Sequence, residues 1–148
     1  MSKVQAVGIF LVPPSLAGIW VSTRIAGDFN GFWQVPGGKC KEGEHSLDAA
    51  IRETWEECGL QIEHDSLWKL SSGDYISLPS GTPYSATQYI CLTTAIPAQA
   101  EPKKASAWTL HDWNYLAAQK DYFMPSTWDA LLQIAPFHKA RQRYENRQ

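Results

Sequence analysis

Three carboxylates, Glu53, Glu56 and Glu57, stand within five residues of this 148-residue chain. Separations of three, one and four put them on one face of a helix with 3.6 residues per turn. Like charges so placed repel one another. A hard divalent cation, which takes oxygen ligands and shares them with a substrate's phosphates, is the usual reason to keep them together. With Glu53 at zero and about 100° per residue, Glu56 and Glu57 fall within about 60° of it. Leu47, Ile51, Thr54, Trp55 and Cys58 lie between about 100° and 200°. The pattern predicts a helix from Ser46 to Cys58 with an acidic stripe and, opposite it, a core stripe that includes Trp55. Ala49 falls on the acidic side, small enough to leave an ion room. Arg52, four residues before Glu56, is placed to hold a carboxylate, and Gly59 suits a left-handed helix stop. Upstream, Val35-Pro36-Gly37-Gly38 reads as a strand end turning into a glycine loop whose backbone can approach a charged ligand closely.

From Gly38 the order is five residues, Glu44, seven residues, then Arg52-Glu53-Thr54-Trp55-Glu56-Glu57-Cys58-Gly59-Leu60. This resembles the Nudix signature, matching eight of its nine specified positions. The departure is Thr54, where an aliphatic residue is usual; Thr is β-branched and close to Val in shape. Some nucleotide-hydrolysing members carry a similar Arg-Glu-Thr-Trp-Glu-Glu. The resemblance implies an α/β fold, an α/β/α sandwich with a mixed sheet between helices. It also implies hydrolysis of a nucleoside diphosphate linked to another group, with Mg2+ as cofactor and Mn2+ as a substitute. The implied ligands are Glu53, Glu56, Glu57 and the Gly38 carbonyl, with Glu44 ordering the loop and Arg52. Glu53 is one candidate to take a proton from the attacking water. Glu57 is counted with it as catalytic. Glu101, placed before Trp108 like a Glu in MutT-like members, is the candidate fourth carboxylate and stands equally as an exposed loop residue.

The elements that must position these residues follow from pattern. Gln5–Val12 and Ile19–Arg24 read as strands around a Pro13-Pro14 turn, and Phe32–Val35 as a short strand. Leu67–Ser77 and Ser85–Thr94 read as strands about a Leu78–Pro83 turn. An irregular connector from Pro97 to Ala105 leads to a short strand at Ala107–Leu110 and a turn or short helix at His111–Ala118. Ser126–Ile134 reads as a helix capped by Ser126 or Thr127, and 138–148 as a basic polar tail. Length fits one domain over residues 1–148. A net charge of −2 argues against nucleic acid as a partner; a homodimer is compatible. Three cysteines without a CxxC pair read as reduced thiols in a cytoplasmic protein. No targeting segment and no membrane span is expected.

Substrate contacts follow from the resemblance. Arg24 and Lys39 match phosphate-binding positions of MutT-like enzymes. Met124, Ser126 and Thr127 lie in a segment similar to one that reads a base edge in oxidised-purine triphosphatases, though those carry acids where this chain has Ser126 and Thr127. Trp33 or Tyr89 could stack on a base. The leading expectation is a nucleoside triphosphate pyrophosphohydrolase releasing monophosphate and pyrophosphate. Two others stand open: a hydrolase of a nucleotide sugar, ADP-ribose or dinucleoside polyphosphate, to which Tyr75 points weakly, and a non-catalytic nucleotide- or RNA-binding module.

Overall fold

A computed structural model describes residues 3–148. The elements run β1 (Val4–Val12), β2 (Gly18–Thr23), β3 (Trp33–Gln34), β4 (Gly37–Lys39), α1 (Ser46–Cys58), β5 (Trp68–Ile76), β6 (Pro83–Leu92), β7 (Thr109–Asp112), α2 (Trp113–Ala117), α3 (Pro125–Leu131) and α4 (Ala135–Asn146). β1 is the organising strand. It pairs parallel with β6 over its whole length, Val4 opposite Tyr84 and Val12 opposite Leu92, and antiparallel with β4, Gly8 opposite Gly37. The mixed sheet has the order β4-β1-β6-β5, and a second, antiparallel sheet has the order β3-β2-β7. Val7, Ile9 and Leu11 turn one way, with Tyr89 and Cys91, onto Ala49, Ala50 and Cys58 of α1. Phe10 and Val12 turn the other way onto Trp113, Leu116, Trp128, Leu131 and Phe137 of the later helices. Burial on both faces is why the strand reads as a nearly continuous apolar run. The layers are the expected α/β/α arrangement.

Helix α1 spans the expected residues. The His45 ring accepts the Leu47 N–H at 3.1 Å, and Gly59 ends the helix in the left-handed conformation (φ 68°), its N–H on the Trp55 carbonyl at 2.9 Å. Its orientation differs from the expectation in two residues. Trp55 is 56% exposed rather than core, and Ala49 is fully buried rather than beside an ion. The cause is that the buried face is centred near Ala50, Thr54 and the flank of Glu53 and Glu57, so the position about 200° from Glu53 faces solvent. The acids lie at the edge of the buried face, not across from it.

Three further expectations are corrected. Gly37–Lys39 is a paired edge strand, with Lys39 opposite Ala6, rather than a loop. Ser126 and Thr127 do not cap α3. Met124 is the boundary residue and Pro125 takes the first helical position, where a missing N–H costs nothing. Both hydroxyl residues lie buried in the first turn. The segment 138–148 is not a free tail: most of it is α4, which buries Phe137 and Ala140. Its Arg141 lies over the Trp128 and Tyr144 rings at 5.3 and 4.9 Å, and donates to the Ala117 carbonyl at 2.6 Å. The basic residues read as solvated from their charge, but an apolar spacing beneath them docks the helix. Phe137→Ala should therefore cost about 3–5 kcal/mol, seen as a lower urea midpoint at unchanged slope; an undocked tail would leave the midpoint where it is.

Candidate active site

Arg52 is the hub of the acidic face. Its Nε and Nη2 donate to the two Glu44 oxygens, both at 2.9 Å. Nη1 donates to Glu53 at 2.9 Å and Glu56 at 3.2 Å, and Nη2 also reaches the Lys39 carbonyl at 3.0 Å. Glu44 further accepts the Lys41 N–H at 2.9 Å. The Arg52 bonds first, then the Lys41 N–H, pull the Glu44 carboxyl down to about 2. The same contacts hold the guanidinium charged. Glu44 is thus spent on Arg52, and Arg52 ties the helix to β4.

Glu57 and Glu53 press into the border of β4. Glu57 accepts the Gly37 N–H at 2.7 Å. Burial pushes its carboxyl up to about 8 against the pull of that N–H, with Glu53 and Glu101 adding to the rise. Burial also raises Glu53, opposed by Arg52 and reinforced by Glu56 and Glu101. The Glu53 carboxylate packs on Gly38 so closely that a Cβ there would sit 2.6 Å from it. Glu101 is brought in by its loop. Ala100 N–H and Trp108 Nε1 both donate to the Glu57 carbonyl at 3.3 Å, and the Glu101 carboxylate pairs with Lys104 at 3.2 Å.

Five carboxylates, Glu44, Glu53, Glu56, Glu57 and Glu101, two of them raised by burial, share one guanidinium and one ammonium. The donors are all oxygen and the charge is in excess, which fits a hard divalent cation. Glu53, Glu56 and Glu57, with the Gly38 carbonyl and Glu101, would hold it. Among the described residues no three of these acids converge as they stand: Arg52 draws Glu53 and Glu56, and Gly37 draws Glu57. Holding the ion therefore requires carboxylates to turn away from Arg52. When bound, such an ion supplies positive charge against phosphates and makes water more acidic.

On the other face of the mixed sheet lies a cavity of about 340 Å³. Its floor is Ala6 and Gly8 of β1 with Tyr84, Ala86 and Gln88 of β6, and its walls include Phe29, Met124, Ser126 and Thr127. Arg24, Lys39 and Gly38 line it as well. Arg24 donates to the Asp28 carbonyl at 2.8 Å and to Gln34 at 3.3 Å, and Gln34 donates to Ser22 at 3.2 Å. The Tyr84 and Ser126 hydroxyls are 3.2 Å apart. Phe29 holds a left-handed backbone (φ 59°), fixed by its N–H on the Leu78 carbonyl at 2.6 Å. A bulky residue rarely adopts that conformation, and here it turns a ring into the cavity.

Of the residues expected to touch substrate, Arg24, Lys39, Met124, Ser126 and Thr127 line this cavity and Trp33 does not. The Trp33 ring is stacked with His111 and Tyr115 at 5.2 and 5.7 Å and meets Phe123 edge-on. Tyr89 faces α1, its hydroxyl on Ser46. Tyr75 donates to Asp129 at 2.7 Å. Phe29, Gln34, Tyr84 and Gln88 were not expected. The alternation Tyr84, Ala86, Gln88 along one strand was the available signal for the last two.

A family model described as the NUDIX domain matches residues 2–129. The chain belongs to the Nudix family. A curated RNA pyrophosphohydrolase from Psychrobacter sp. (strain PRwf-1) is 43% identical over 61 residues, which are 41% of this chain and only 33% of that protein. A MutT NUDIX hydrolase from Burkholderia pseudomallei superposes with a TM-score of 0.75 at 24% identity, covering 90% of this chain and 99% of that one. A C. elegans Ap4A hydrolase does so with a TM-score of 0.69 at 18% identity, covering 92% and 98%. At such identities the two structures show the shared fold. Nudix hydrolases act on nucleotide substrates and generally use divalent metal ions. No helix among the described residues is long and apolar enough to cross a membrane.

The raised Glu57 has a thermodynamic consequence. Its folded-state value of about 8 lies above the ordinary 4.5, so the folded chain keeps a proton that the unfolded chain gives up. That contribution is full below about pH 4.5 and is lost as pH rises through 8. Metal-free protein should lose stability across that window in thermal melts, and Glu57→Gln should flatten the loss. Added magnesium should raise the melting temperature more at the alkaline end of the window than at the acid end.

Proposed function

We propose that this Nudix chain hydrolyses a nucleoside triphosphate to the monophosphate and pyrophosphate, with Mg2+ as its cofactor and Mn2+ as a substitute. One observation carries the reading: Gly37 and Gly38 belong to both halves of the site. They line the cavity, while Gly37 donates to Glu57 and Gly38 lies under Glu53. A ligand seated in the cavity thus has its phosphate end at the acids. Arg24 and Lys39 supply positive charge along that path, and both line the cavity. At about 340 Å³ the space is at the small end of ligand cavities, which suits one nucleoside.

In this reading Glu53, Glu56 and Glu57 grip the ion with the Gly38 carbonyl and Glu101. Water adds across the Pα–O–Pβ anhydride, its proton passing to Glu53 or Glu101 and pyrophosphate leaving, while Arg52, kept on Glu44 and the Lys39 carbonyl, ties the helix to β4. A second reading is favoured by the 43% identity to the protein named RNA pyrophosphohydrolase: the same cleavage at a 5′-triphosphate of RNA. The net charge of −2 gives a longer polyanion little to hold.

The test is a magnesium-dependent hydrolysis screen over nucleoside triphosphates, ADP-ribose, sugar nucleotides, dinucleoside polyphosphates and 5′-triphosphorylated RNA. Pyrophosphate release from free triphosphates is expected. Turnover confined to the bridged compounds or to RNA would overturn the primary reading. Glu57→Gln should lower kcat by about 10²- to 10⁴-fold with the fold retained, and comparing Glu53→Gln with Glu101→Gln in kcat–pH profiles separates the two proton acceptors.

A further inference from the structure

Gln88 is only 5% exposed, and its Oε1 is the one buried side-chain oxygen or nitrogen among the described residues without a hydrogen-bond partner. An unpaired buried amide oxygen is costly, and native folds rarely leave one without a reason. The amide lies on the cavity floor over Gly8, and any Cβ at position 8 would collide with Oε1. A glycine inside a central strand weakens that strand; here it makes the berth that the Gln88 side chain occupies.

Several polar groups of the lining are already engaged. Gln34 is bonded at both ends, to Arg24 and Ser22. Tyr84 and Ser126 face each other. Asp28, the carboxylate in the lining, accepts from Ser80 at 2.6 Å. The Gln88 amide differs from these in keeping a fully buried oxygen without a partner, and it carries a donor and an acceptor side by side. Nucleobase edges present the complementary pair, and amide side chains read them on that basis.

We propose that Gln88 is the specificity-determining residue of this cavity, its amide pairing with the donor- and acceptor-bearing edge of a nucleobase. This rests on the nucleotide reading above and adds to it the means of discrimination: a neutral amide rather than the acidic residues that the Ser126 and Thr127 positions lack. A base edge that pairs with the amide satisfies it; an edge without polar groups leaves it stranded, and buried polar groups left unpaired reject such analogues.

The test compares wild type, Gln88→Leu and Gly8→Ala on the four common nucleoside triphosphates and on a triphosphate carrying an apolar isostere of the preferred base. Wild type should favour the preferred base over the isostere by about 10- to 100-fold in kcat/KM. Gln88→Leu should lower the preferred base by that factor and leave the isostere within about twofold, the change residing in KM. Gly8→Ala, which displaces the amide without removing it, should erase the same preference. Calorimetric titration of the monophosphate product without metal should show the same loss of affinity, and Gln88→Leu should melt at or above wild type because an unsatisfied group is gone. The proposal is overturned if Gln88→Leu weakens every substrate equally, or if the base ranking does not move. Should wild type cleave no triphosphate, the proposed function fails, and the monophosphate titration still decides Gln88 by itself.

Discussion

The structure is organised around the burial of two carboxylates, Glu53 and Glu57, against the backbone of β4. Glu57 has one N–H for company and is pushed up to about 8, and Glu53 shares its one guanidinium with Glu44 and Glu56. Charge of one sign in a poorly solvated place is expensive. The surrounding chain is shaped to contain it. Glu44 orients Arg52, Arg52 spans from α1 to the Lys39 carbonyl, and two glycines let the acids lie directly on backbone. Arg52 stands where a divalent cation would relieve the same surplus.

That constraint explains where the cavity lies. β1 is buried on both faces, so it can carry α1 on one side and a ligand space on the other. The acids and the cavity share Gly37 and Gly38, which line the cavity and lie against Glu57 and Glu53. At Gly37 a Cβ would strike the Val7 carbonyl, and at Gly38 it would strike Glu53. Side chains there would separate the acids from the cavity. The glycines therefore serve close approach rather than turning, since neither has a positive φ.

The acidic helix, its limits and the clamp on Glu44 were legible because they depend on local spacing: three carboxylates, an arginine one turn away and a glycine stop. Even so, spacing alone misjudged the helix's orientation. It placed Trp55 inside because that residue clusters with Leu47, Ile51, Thr54 and Cys58 opposite Glu53, whereas Glu53 and Glu57 lie on the buried flank and Trp55 outside. The cavity was less legible because it is assembled from β1, β4, β6, the Phe29 loop and α3, whose adjacency is set by long-range pairing. Gln88 looked like one polar residue in a strand, and only the parallel register placing it opposite Gly8 gives it meaning. Trp33 failed as a stacking residue for the same reason, since its partners His111 and Tyr115 come from nearly 80 residues away. α4 was hidden by its charge, as Arg141 uses its guanidinium as a packing surface over two rings.

On the proposed function, the division of labour between the two faces would set the direction in which a nucleotide enters. The cavity's one lining carboxylate, Asp28, accepts from Ser80 and is set against the two lining cations Arg24 and Lys39, while the floor of Ala6, Gly8, Ala86 and Gln88 is uncharged and would suit a base. The cations Arg24 and Lys39 stand with Gly38 on the way from cavity to acids, and Arg24 is near enough to draw the Glu57 carboxyl downward. A polyphosphate is attracted to that border and repelled by the bare acids beyond it. In the proposed reading it would rest against them once a divalent ion, held by Glu53, Glu56 and Glu57, offset their charge. Binding of the base and engagement of the phosphates would then be driven by different forces, the first by hydrogen bonding and apolar burial and the second by charge. A chain built this way can alter the base it prefers through the cavity floor while leaving its hydrolytic face unchanged.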